Sequence, residues 1–338
     1  MTESRNRFFP SVDNGLQARA AIHARLHESL AHIFEQCEGH VTIDWSRADM
    51  LLLRTTTGER LPPVLFGHYF RLVQVIENGT MDEVQQAVDT LLNHASDADV
   101  VPMRVRPLVR QEFTVEEEAD LRREFVSESL HDEQIRHLDD NGLASTLDQF
   151  NRSLSILRTH APQTYGEIDA LVCEFVPALG HAWEGMEFDG CSSLERWGTV
   201  LINAKLPRTD LQLCEAITHE SAHNALFAMA PVNFHVENDP DELYKSPLRL
   251  DPRPMNGIYH ATFVLARMCF AMREVAASAT AGVALQEEAL KLARESARLF
   301  ADGHEVLEKH ARYTPEGRRI MQDAARYMST GAVCNENP

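Results

Sequence analysis

An α+β fold, mainly helical, is what this sequence predicts, and three observations predict it. Apolar residues recur every three to four positions through long stretches of the chain, the spacing of a helix with one buried face. Runs rich in β-branched residues are few and short, at 41–45, 100–105 and 199–203. The last of them lies just ahead of an apolar segment that carries His219, Glu220 and His223. A His-Glu-x-x-His (HExxH) helix is therefore expected beside a short edge strand and small sheet, packed by long C-terminal helices.

The elements follow in order. From 17 to 36 the residues Ala21, Leu26, Leu30 and Ile33 mark a helix that Gly39 closes. The runs 41–45 and 100–105 are expected strands with a helix between Met81 and His94, which makes 1–143 a mixed, helix-rich N-terminal region without a motif that carries chemistry. Glu116, Glu117 and Glu118 with Asp120 read as a solvated helix face. A second region, 144–332, opens with a stripe of Leu147, Phe150, Leu154 and Leu157 that Pro162 ends, then a stripe through Ile168, Leu171, Val172 and Phe175. Residues 187–196 are polar and contain Gly190, and after Gly198 the run 199–203 (TVLIN) reads as a strand. Asp210 is the expected N-cap of a helix that Pro231 stops. A loop rich in Asn, Asp and Pro takes 231–257; then 258–277 is a strongly apolar helix and Val283–His310 a long amphipathic one, with Leu285, Leu292 and Leu299 in register. On its wet side Glu287 and Lys291, and Glu305 and Lys309, stand four residues apart as ion pairs.

Composition excludes several classes of protein. With 44% hydrophobic and 25% charged residues the chain can build a packed core, so wholesale disorder is excluded. The formal net charge of −19 repels phosphate backbones and argues against a nucleic-acid partner. The first fifteen residues hold no apolar run of signal-peptide length, and the longest apolar stretch, 261–272, is broken by Arg267, so a cytoplasmic protein with no membrane partner is expected. Six cysteines, Cys37, Cys173, Cys191, Cys214, Cys269 and Cys334, show no paired spacing and read as reduced packing residues.

Chemistry concentrates in CEAITHESAHNALFAM. Residues four apart share a helix face, so His219 and His223 can aim both imidazoles at one metal ion, while Glu220, about 100° further round, stands beside it. The neighbours Cys214, Ala216, Ile217, Ala222, Ala225, Leu226 and Phe227 bury this helix, where two histidines and a carboxylate are costly without a strong partner such as a divalent cation. The third ligand decides the chemistry. A metzincin needs Gly and His where this chain has Leu226 and Met229, which excludes that class. Glu242 is one candidate, as in a thermolysin-like site, and His260 in the first turn of the apolar helix is the better one. Before it, Pro252 and Pro254 hold Arg253 on stiff extended backbone, with Arg249 four residues earlier; arginines beside a metal suit bidentate capture of a carboxylate. Their alternative is ordinary salt bridging with Asp239, Asp241 or Asp251.

Taken together, WGTVLIN, ITHESAHNALF, SPLRLDPRP, NGIYHATFV and the late YTPEGRRIM resemble the HExxH proteins of ribosomal peptide-modification (RiPP biosynthesis) clusters, over roughly 144–330. That resemblance implies an iron(II)- and 2-oxoglutarate-dependent dioxygenase that uses O2 to hydroxylate a β-carbon of a precursor peptide, with a radical SAM enzyme encoded nearby as a partner. It implies His219, His223 and His260 as metal ligands, Glu220 as the catalytic-site carboxylate, and Arg253 and Arg249 as the co-substrate arginines. Three neutral imidazoles depart from the two-histidine, one-carboxylate set of ordinary non-haem iron oxygenases. The alternatives are a zinc hydrolase with Glu220 as general base, and a non-catalytic peptide-binding scaffold with a structural metal.

Overall fold

The computed structural model describes residues 8–94, 102–126, 130–183, 187–229, 235–247 and 251–333. In chain order these form α1 (Val12–Cys37), α2 (Trp45–Thr56), α3 (Val64–Asn78), α4 (Met81–His94), β1 (Arg104–Val105), α5 (Val115–Phe125), β2 (Ile135–Arg136), α6 (Asp140–His160), α7 (Pro162–Leu171), β3 (Glu174–Gly180), β4 (Gly190–Ser192) and β5 (Thr199–Asn203). Then come α8 (Asp210–Met229), β6 (Leu243–Tyr244), β7 (Arg253–Pro254), α9 (Met255–Ala277), α10 (Val283–His310) and α11 (Pro315–Val333). The fold is α+β and mainly helical. No helix among the described residues is long and apolar enough to cross a membrane.

Two compact units interleave along the chain: residues 1–15, 149–168 and 208–338 make one, and 16–148 with 169–207 the other. A single boundary at 143/144 is not what separates them. The reason is strand pairing, since β3 lies parallel to β1 and antiparallel to β2, so the strands after residue 169 complete a sheet begun by the N-terminal region.

In that second unit the strand order is β1-β3-β5-β4, with β2 pairing β3 beyond β1. The expected edge strand 199–203 is an interior one. β5 runs parallel to β3, with Glu174 opposite Thr199 and Ala178 opposite Asn203, and β4 pairs antiparallel on its other side. All five of its residues are buried, which is why TVLIN reads as a continuous apolar run and not as an alternating one. An added peptide strand has no free edge there.

Other expectations shift for local reasons. The run 41–45 makes only an isolated bridge from Val41 to Glu38, because Asp44 accepts the Arg47 N–H at 3.2 Å and starts α2 at Trp45. Only Arg104 and Val105 of the run 100–105 form a strand among the described residues. Glu116 alone of the acidic run is a free solvated face: Glu117 pairs with Arg106 at 2.9 Å, and Glu118 with Arg122 and His137, both at 2.8 Å. Pro162 ends one helix and opens the next, at the first-turn position its missing N–H suits. Phe175 belongs to β3, beyond the second stripe. The cysteines Cys37, Cys173, Cys214 and Cys269 are buried and Cys191 half-buried, all free thiols; Cys334 lies outside the described residues.

In the first unit α8 is buried on nearly every side and packs against α9 and α10, as a helix without a polar face must. Its cap is Thr209 in place of Asp210: the Gln212 N–H donates to Thr209 Oγ1 at 3.2 Å while the Thr209 N–H donates to Gln212 Oε1 at 2.9 Å. Asp210 instead holds Arg152 of α6 through both carboxylate oxygens, at 2.7 and 3.1 Å. Met229 is the last described residue of α8, and Pro231 lies outside the described residues. α10 spans Val283–His310 as expected.

Candidate metal centre

α8 supplies His219, Glu220 and His223, and α9 supplies His260. α9 starts at Met255, one turn earlier than the sequence suggests, so His260 sits in its second turn. Pro254, extended at φ −57° and ψ 150°, delivers the chain into it.

The histidine pair converges. His219 Nε2 and His223 Nε2 lie 3.3 Å apart, with ring centroids 5.0 Å apart. One ion held at about 2.1 Å by both nitrogens would subtend an angle of about 105° at that separation, between octahedral and tetrahedral values. The His260 ring stacks on His223 at 5.6 Å and 25°, with Phe227 against it at 5.7 Å. Burial holds the His223 imidazole well below its ordinary pKa, with His219 and His260 adding to it, and pushes His260 down to about 3. Both rings are therefore neutral at physiological pH, the form that offers a lone pair to a metal. The two α8 histidines fit a divalent cation, and His260 adjoins them; among the described residues no set of three His, Cys, Asp or Glu side chains is already closed around one point.

Glu220 is 5% exposed, and its Oε1 lies 3.8 Å from His219 Nε2. Asn224 donates to the Glu220 carbonyl at 3.3 Å, which fixes the backbone one turn on. Arg208, just ahead of the Thr209 cap, is half-buried and feels the Glu220 charge.

Glu242 is exposed, its N–H bonded to the Asp239 carbonyl at 3.1 Å and its carboxylate to Tyr244, so it is not gathered with the histidines. Arg253 lies on β7, which pairs with β6 through Tyr244, and its Nε is 2.7 Å from Asp251. A side chain at Gly257 would meet the Arg253 Cβ at 3.9 Å, and Gly257 precedes His260 by three residues on one helix face. Arg253 thus stands at the entry to the first turn of α9, with Asp251 as its partner. Arg249 lies outside the described residues.

Sequence reasoning missed His235. It is 1% exposed, stacks on Tyr259 at 4.9 Å and 10°, and meets His260 edge-on at 6.0 Å and 74°. No periodicity or spacing singles it out, since it comes from a loop and reaches the centre only through tertiary pairing.

No protein-family model matches the chain, and no curated protein matches it at a significant level.

Proposed function

We propose that this chain is an iron(II)- and 2-oxoglutarate-dependent hydroxylase acting on a β-carbon of a ribosomally made precursor peptide. The observation that carries the reading is the company His223 keeps: an imidazole on each side, His219 at 3.3 Å and His260 stacked at 5.6 Å, while Glu242 is engaged elsewhere. A thermolysin-like zinc site would want that glutamate beside the pair. Iron(II) with 2-oxoglutarate and O2 would supply the oxidising chemistry; every other task falls to the chain. His219, His223 and His260 would hold the metal on one side and leave the other side open. Arg253, exchanging Asp251 for a ligand carboxylate, would hold the far end of the co-substrate through a bidentate pair. Glu220 would orient a bound water or ligand, and the apolar shell of α8 and α9 would keep bulk water out.

A second reading, a zinc-dependent peptide hydrolase, is favoured by one observation, the buried Glu220 carboxylate 3.8 Å from His219, where a general base for water would sit. Anaerobic titration with iron(II) followed by 2-oxoglutarate separates the two. The hydroxylase reading expects a visible charge-transfer band that needs both components and is lost in His223→Ala. No band with iron, together with zinc-dependent peptide cleavage, would replace it with the hydrolase.

A further inference from the structure

His235 presents a physical problem. Both of its ring nitrogens are fully buried and neither has a hydrogen-bond partner among the described residues. An unsatisfied buried polar group destabilises a fold, yet the surrounding chain is built to hold this one where it is. The His235 carbonyl accepts from the Thr314 N–H at 3.0 Å and from Thr314 Oγ1 at 3.1 Å. Val236 bridges Tyr313, and the Tyr259 hydroxyl donates to the Gly317 carbonyl at 2.9 Å while its ring lies flat against the imidazole. Gly317 approaches the His235 carbonyl so closely that any side chain there would overlap it. The YTPEG segment at 313–317 is thus a clamp on His235, and His235 lies edge-on to His260.

The His260 ring is half-buried and makes no hydrogen bond to protein among the described residues. A metal-bound histidine needs a partner for its second ring N–H, which fixes tautomer and orientation and raises the basicity of the ligating nitrogen. We propose that His235 is a positioning residue of the centre, accepting the second N–H of His260 when the other nitrogen of that ring takes a metal. This rests on the metal-centre reading above and adds the residue that orients its third ligand. His235 takes no place on the metal itself, so the open side of the site is kept. A neutral imidazole walled from solvent is an acceptor that competing water does not reach, which explains why the chain excludes water from it so completely.

Cobalt(II), bound by the full-length protein in place of iron, is the probe. Each ligated histidine then shows a paramagnetically shifted ring N–H in the proton spectrum, and the His260 signal is identified by its loss in His260→Ala. In wild-type protein the His260 N–H exchanges with solvent at least ten times more slowly than that of His219, whose side chain is 36% exposed. His235→Phe keeps the stack on Tyr259 but cannot accept; it speeds that exchange and weakens cobalt binding about 10-fold, and His235→Asn partly restores both. His23→Phe removes an equally buried, equally unpartnered histidine of the other unit and leaves cobalt binding unchanged. Equal exchange rates for His260 and His219 in wild-type protein overturn the proposal even if the His235 variants fail to fold. So does a folded His235→Phe with unaltered cobalt affinity and exchange. If wild-type protein takes up no cobalt, zinc or iron at all, the metal-centre reading falls and this inference with it; uptake that ignores His235 overturns the inference alone.

Discussion

At the scale of single residues the decisive group is Glu220. In a hydrolase its carboxylate takes the proton of metal-bound water during the chemical step, so Glu220→Gln, nearly isosteric but not basic, abolishes turnover with metal still bound. In a hydroxylase the conversion of 2-oxoglutarate to succinate needs no protein base. The same variant then keeps measurable succinate formation, followed by chromatography of the reaction mixture. Gly317 makes a second prediction, about packing. A methyl group there overlaps the backbone carbonyl of His235, and backbone cannot swing aside as the end of a side chain can. Gly317→Ala should therefore cost about 1–3 kcal/mol of stability, the usual range for overpacking, read from urea midpoints.

At the scale of elements, α8 owes its entry to a reciprocal pair. Thr209 and Gln212 satisfy each other's backbone N–H groups, and the Thr209 hydroxyl also donates to Glu288 of α10 at 2.6 Å. Thr209→Ala removes the cap and should destabilise the protein by about 1 kcal/mol, whereas Thr209→Ser, which keeps the oxygen, should lose much less; thermal melts of the two variants decide it. The same element shows how far local signals reach. Pairing of His219 with His223 was legible because i,i+4 spacing is a property of the helix alone. His260 was legible as a neighbour of a proline-stiffened loop. Asp210 reads as the cap from the sequence because Asp and Thr are both good caps, and only the Arg152 partner on α6 draws the carboxylate away.

At the scale of the whole molecule, two further histidines are buried among the described residues, both in the unit that holds the sheet. His23 lies 5.9 Å from Trp197 and 6.3 Å from Phe66, and His68 stacks on His94 at 4.5 Å. Burial pushes each down to about 4, from an ordinary 6.5, helped by Arg19 for His23 and chiefly by His94 for His68. The folded state therefore binds fewer protons than the unfolded one between those values. The stability the neutral rings contribute is complete above pH 6.5 and is lost as pH falls towards 4. Melting temperature should drop between pH 7 and pH 5, and His23→Phe, which fills the same space without a titrating group, should flatten that slope. A slope unchanged in His23→Phe and His68→Phe together would assign the acid lability to other groups.

What the amino-acid sequence determined by itself is the part of the molecule governed by neighbours along the chain: the helical character, the extents of α4 and α10, the paired histidines of α8 and the stiff backbone before α9. Periodicity, spacing and proline geometry act over a few residues, so they survive without a fold. Pairing between distant segments was decided only in three dimensions. TVLIN has the same composition at an edge or in an interior, and only the arrival of β3 on one side and β4 on the other makes it interior. His235 is an ordinary loop residue until Thr314 and Gly317, about eighty positions on, clamp its backbone and Tyr259 lies against its ring. Contacts of that range leave no periodic trace, because each depends on where two segments meet and not on how either is spaced.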